Sequence, residues 1–279
     1  MTSTDSTELL LAADTRRFVM FPLRFPANPL QADLVNQLSG RVTSPEARCC
    51  FRFQSMMANI HTEALSKIFS TLQLDDESNI KTITDVLEHP STKKKIRWSY
   101  SWFECRDTHF STKLFALAVI KELFSAPTFA ILAWLKNEHT MPGVIFAYEK
   151  LTRDNEWFVD LACRLFHYMR QKPTQDDVTA IILEAVDIEK NFVKDIIQVE
   201  NVGIKEEDIF RYIEHVGDEL LCATGYSVCF NSSNPFSFRS STPACVKVTR
   251  FVDESRYRPH TSSPETEQTF TTIDTTSNF

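Results

Sequence analysis

An all-α fold, a bundle of long helices, is what this sequence predicts, and three observations predict it. Apolar residues recur at three-and-four spacing over five long stretches, the period of one helical face. No segment alternates strongly enough to read as a strand, and no internal repeat is present. Glycine supplies only 5 of 279 residues, too few for a β-rich fold with many tight turns or for a phosphate-cradling loop. The 22 phenylalanines supply a large aromatic load that must pack in a core.

The N-terminal stretch is polar except for Leu9, Leu10, Leu11, Ala12 and Ala13, a run too short for a signal-peptide core and without a basic leader. The first helix is expected over residues 46–74. Its apolar face carries Gln54, Met57, Ala58, His61, Leu65, Ile68 and Leu72. The second, 114–135, is apolar enough to span a membrane, but Lys121 and Glu122 lie inside it and Pro127 breaks it. It reads as a buried helix, kinked or restarted at Pro127. The third starts at Pro142, with a stripe of Val144, Tyr148, Leu151, Asn155, Phe158, Ala162, Leu165 and Met169. The fourth starts after Thr174, a fitting N-cap followed by Asp176 and Asp177. The fifth covers 205–224 and stops at Gly225. From Asn231 onward Ser, Thr, Pro and Asn dominate, which reads as a disordered tail. These features divide the chain into a lead-in segment, 1–45, a helical bundle, 46–230, and a tail, 231–279.

A net charge of −7 argues against nonspecific nucleic-acid binding. The basic and aromatic run Lys93, Lys94, Lys95, Arg97, Trp98, Tyr100, Trp102 therefore reads as a solvated helix junction. Seven cysteines without a Cys-x-x-Cys pair point to reduced thiols and a cytoplasmic setting.

His61, Lys121 and Asn155 sit on three stripes that should face the core. Either each is satisfied singly, or they share a polar pocket. A helical bundle hosts a carboxylate-bridged di-metal site when two helices each supply Glu-x-x-His and two more each supply a Glu. All 7 histidines fail that test, since none has an acid three residues earlier.

Glu46-Ala-Arg-Cys, Phe53-Gln54, Asn59-Ile60-His61-Thr-Glu63, the Lys93-Lys94-Lys95 run with Trp98 and Trp102, Phe129-Ala130, Trp134-Leu135-Lys136, Met141-Pro142-Gly143, Arg153-Asp154 and Asn234-Pro235-Phe236 occur in that order. Together with Arg17-Phe18-Val19-Met20-Phe21-Pro22, they resemble the small, radical-generating subunit of class I ribonucleotide reductase. The resemblance implies a ferritin-like bundle, here shortened at its N-terminal side. In that family the small subunit builds a di-iron centre and a tyrosyl radical, and works with a large subunit that reduces ribonucleoside diphosphates.

The resemblance also shows what is missing. Glutamate, histidine and radical tyrosine fall on Ala58, His61 and Leu65; the next glutamate falls on Lys121; the second Glu-x-x-His falls on Asn155 and Phe158. His61 alone keeps a ligand type, no catalytic residue is expected, and no cofactor is expected. The first carboxylate ligand should lie between Pro22 and Glu46, and no tryptophan precedes Trp98 to carry the family's electron route. Asp154 matches the aspartate that orients a metal-bound histidine, so a His61–Asp154 hydrogen bond is expected unless Asp154 belongs to an exposed Arg153–Asp154 pair. Lys121 is expected to replace metal charge and to pair with a carboxylate such as Glu63; Glu122 would serve as a ligand only if its helix turned by about 100°.

The reading is a ligand-poor reductase partner, a pseudoenzyme in deoxyribonucleotide synthesis for DNA replication. Its expected partners are the large subunit, docked through Phe270, Asp274 and Phe279, and a second small subunit as homodimer or heterodimer. Nucleic acid and membrane are not expected partners. Two other readings stand beside it: an enzyme with unusual metal chemistry, and a repurposed interaction protein.

Overall fold

Eight helices account for most of the described chain, and their order is set by caps and prolines. The computed structural model describes residues 29–71, 84–105, 107–137, 142–197, 199 and 204–236. The lead-in residues 17–22, Leu72, the tail residues Phe270, Ile273, Asp274 and Phe279, and Tyr257 lie outside them. The helices are α1 Pro29–Ser39, α2 Pro45–Thr71, α3 Pro90–Glu104, α4 Phe110–Glu122, α5 Ala126–Asn137, α6 Pro142–His167, α7 Gln175–Phe192 and α8 Glu206–Thr224. No strand occurs among the described residues.

The centre of the bundle is α4, which packs against α1, α3, α6, α7 and α8. Its residues from Leu114 to Lys121 are all buried, as its unbroken apolar composition requires. The stretch Phe110–Trp134 is long and apolar enough to cross a membrane, and its apolar window is 94% buried inside the bundle. Between α4 and α5 the helix tightens into a 3-10 turn, Leu123–Ser125. Pro127 is the second residue of α5. Its ring would clash with a carbonyl one turn back in a continuous α-helix, so the break falls just before it.

The capping signals at α7 and α8 are used as the sequence predicts. The Asp177 N–H donates to Thr174 Oγ1 at 3.2 Å, and the Thr174 N–H donates to Asp177 Oδ2 at 2.9 Å. This reciprocal pair closes the first turn of α7. Gly225 ends α8 with φ of +86°, a left-handed conformation that glycine adopts without a Cβ clash. The chain then turns back along α8, held by Asp218, whose carboxylate accepts the N–H groups of Cys229, Phe230 and Ser232 at 2.9, 3.0 and 3.1 Å.

Two helices go beyond the five the periodicity reveals. α1 inserts Leu34, Val35 and Leu38 into the same core that α2 faces. α3 corrects the solvated-junction reading: Thr92, Lys95, Trp98, Ser99 and Phe103 are buried along it. Pro90 opens α3, and the His89 side chain accepts the Ser91 N–H at 3.3 Å. Lys113 of α4 closes its far end by donating to the carbonyls of Cys105 at 2.7 Å and Phe103 at 3.4 Å, a cation at a helix C-terminus.

Candidate functional site

The polar residues singled out on the stripes of α2, α4 and α6 converge. On α2, Ala58, His61 and Leu65 lie three and four residues apart, on one face. Leu65 is buried, while Ala58 and His61 are half-buried. On α6, Asp154 lies one turn before Phe158, and its carboxylate meets His61 Nε2 at 2.9 Å. Asp154 therefore reaches inward to the histidine. The His61 imidazole is held below its ordinary pKa, because burial outweighs the pull of Asp154 and the nearby Lys121 charge adds to the lowering.

Lys121 reaches the same place from α4. It is 3% exposed, and its ammonium lies 5.4 Å from the centroid of the Phe158 ring. Burial brings its pKa down to about 7. Asn155 donates from Nδ2 to the Lys121 carbonyl at 2.8 Å, which locks α6 to α4 beside the lysine. Phe158 is buried and packs edge-on to Phe53 of α2 and to Trp157. The structure thus brings His61, Asp154, Lys121, Asn155 and Phe158 together.

Glu63 is not the partner of Lys121. Its side chain is exposed and pairs with Lys67 one turn further along α2, at 2.8 Å. Glu63 is two residues from His61, about 200° around the helix, so it points away from the cluster. Glu122 follows Lys121 by one residue and acts on the buried Cys163, whose thiol burial raises to about 12 with Asp160 and Glu122 adding to the shift. The helix is therefore not turned so as to place Glu122 where Lys121 stands.

A second buried charge centre escaped the sequence reading. Lys95 of α3 and Glu189 of α7 are 0% and 1% exposed and meet at 2.5 Å. Lys95 also donates to the Phe124 carbonyl at 3.1 Å and lies 4.8 and 4.2 Å from the ring centroids of Phe124 and Phe192. Burial raises the Glu189 carboxyl to about 7 and lowers the Lys95 ammonium, in each case against the attraction of the partner. The available signal was register: Thr92, Lys95 and Ser99 recur at three and four, so the third lysine of the run faces inward.

The comparisons agree on one family. Residues 3–235 match the family described as ribonucleotide reductase, small chain. The ribonucleoside-diphosphate reductase small chain of Schizosaccharomyces pombe is 34% identical over 244 residues, covering 86% of this chain and 62% of that protein. The subunit M2 of the human ribonucleoside-diphosphate reductase is 32% identical over 267 residues, covering 94% of this chain and 68% of the relative. Among solved structures, the ribonucleotide reductase Rnr4 homodimer from Saccharomyces cerevisiae matches with a TM-score of 0.76 and 29% identity, over 85% of this chain and 74% of that one. The chain thus spans about three-fifths of the length of the Schizosaccharomyces pombe relative.

The described residues do not fit a di-iron centre. Among the described residues, no group of three or more His, Cys, Asp or Glu side chains is placed to hold a metal ion. At the centre stand a lysine and an aromatic ring, neither of which is a ligand for iron.

Proposed function

The chain belongs to the small-chain family of ribonucleotide reductase, and from that premise we propose that it serves the cytoplasmic reductase as a structural or regulatory partner. It does not build the di-iron and tyrosyl-radical cofactor itself. The observation that carries this reading is the buried Lys121 ammonium beside His61 and Phe158. The lysine side chain occupies the space of a would-be metal centre and, in its protonated form, repels divalent cations. Leu65, where the resemblance places the radical tyrosine, has no oxygen to oxidise.

The partners that fit are a competent small subunit, a second copy of this chain, and the large subunit. Docking on the large subunit is assigned to the tail with Phe270, Asp274 and Phe279, whose aromatic and acidic groups suit a peptide-binding groove. The bundle would then contribute a scaffold, and the radical would come from the competent partner.

Reconstitution tests this. The chain is mixed with a large subunit alone and, separately, with a large subunit and a ligand-complete small subunit. Ribonucleoside-diphosphate reduction is expected only in the second mixture, at a level that changes with the amount of this chain. Removal of the last ten residues should weaken capture of the large subunit. Reduction in the first mixture at the rate of a complete small subunit would overturn the proposal.

A further inference from the structure

Helix α2 carries apolar residues on two sides. Phe51 and Leu65 point into the core, while Phe53, Met56 and Ile60 run along the opposite side at three-and-four spacing. An outer helix face turned to water is ordinarily polar. Here Phe53, Met56 and Ile60, together with Trp157 of α6, are each between 44% and 50% exposed. Trp157 joins the line through Phe53, edge-on, with ring centroids 6.4 Å apart. Single exposed apolar side chains are ordinary, whereas a strip of them across two helices marks a surface that something covers.

The chain itself supplies an occupant. Helix α1 lies alongside α2, joined to it by the short link 40–44 and by the Ser55 hydroxyl, which donates to Asn36 Oδ1 at 2.6 Å. Two packed helices joined by so short a link run antiparallel. From Asn36 back to Pro29 the helix rises about 10 Å, and the same rise from Ser55 along α2 reaches Thr62. Pro29 therefore sits level with the Ile60 end of the strip. Residues 1–28, which lie outside the described residues, continue from that point.

The sequence of that segment matches the strip. Phe18, Val19, Met20, Phe21, Leu23 and Phe25 crowd into residues 17–25. Between Phe25 and Pro29 the chain reaches at most about 13 Å, and between Phe21 and Pro29 at most about 26 Å. The strip from Ile60 to Phe53 is about 10 Å long. These lengths bring Phe25 to Ile60 and Phe21 to Phe53 and Trp157. A segment tethered this closely meets the strip at an effective concentration on the order of millimolar, which a second chain must reach by association.

We propose that residues 17–25 of the same chain dock as a strap across the outer α2–α6 strip, with Phe25 against Ile60 and Phe21 against Phe53 and Trp157. Withdrawal of these apolar side chains from water drives the docking. His61 is next to Ile60, and Asp154 is one turn from Trp157, so the strap also covers the outer edge of the contact between His61 and Asp154.

Hydroxyl-radical footprinting of the full chain is the test, because it reads the exposure of single side chains. In the double variant Phe18→Asp with Phe21→Asp, Met56 and Trp157 should be oxidised on the order of tenfold faster than in the unaltered chain. Tyr168, exposed beyond the end of α6, should keep its rate and so report an intact fold. A second variant acts from the other side of the contact. Ile60→Asp, at an exposed position, should release the strap, read as several-fold faster trypsin cleavage after Arg17 and Arg24. Unchanged oxidation of Met56 and Trp157 in the double variant would overturn the proposal, and so would cleavage that Ile60→Asp leaves unchanged. Protection of the strip that disappears on dilution would assign it to a second copy of the chain, and would overturn the proposal as well.

Discussion

Lys95 and Lys121 are both buried in the same bundle, and the two sites handle the charge differently. Lys95 is met by Glu189 at 2.5 Å and by the Phe124 carbonyl, so the attraction of a buried acid opposes the effect of burial. Around Lys121 burial is the cause of the shift that brings its pKa to about 7. The first arrangement joins α3 to α7 and is structural. The second stands where the resemblance puts a metal-binding carboxylate, and the neighbours it meets are an imidazole and a phenyl ring. A buried cation with an acid partner therefore marks a tie between helices. On the function proposed above, a buried amine at positions where the resemblance puts ligands marks a site that does not suit metal.

Removing one partner from the first site should have the largest effect. Glu189→Ala leaves a buried ammonium uncompensated and should destabilise the chain by about 3–5 kcal/mol in urea unfolding. The double variant Lys95→Met with Glu189→Leu should recover most of that loss, because both desolvation penalties disappear together. At the second site, Lys121→Met keeps the length of the side chain and removes the titrating amine, so the part of the stability that rises with pH between about 7 and 10.5 should disappear. A large loss from Lys121→Met would show that Lys121 is a tie like Lys95.

The pH dependence of stability sharpens the same contrast. Burial raises Glu189 from an ordinary 4.5 to about 7, so between those values the folded chain holds a proton that the unfolded chain has lost. Stability should therefore fall as pH rises through that window. Glu189→Gln should remove that part of the slope, read as the difference between its unfolding free energies and those of the unaltered chain. The smallest effect is expected at the His61–Asp154 contact, which is half-exposed on the aspartate side. Asp154→Ala should lose about 1 kcal/mol, the usual contribution of one hydrogen bond, again by urea unfolding.

Much of this was legible before any coordinates. Thr174, Gly225 and Pro127 are punctuation with a local mechanism, and each acts where it stands in the chain. The stripe positions of His61, Lys121 and Asn155 left open whether each is satisfied singly or all share a pocket, since helix register decides the face of each helix and not which faces meet. α1 escaped notice because an 11-residue helix offers few repeats of its period. α3 escaped because three consecutive lysines mask the one that faces inward. The Lys95–Glu189 pair joins residues 94 positions apart on helices whose packing no local pattern gives. The Glu63 assignment failed through register, because two steps along a helix carry a side chain to the opposite face.

Iron content decides the central point most directly. The full chain, produced with excess ferrous iron and freed of loosely bound metal, should hold far less than one iron per molecule, and Lys121→Glu alone should not restore the full complement. Two tightly held irons per molecule in the unaltered chain would contradict this reading of Lys121.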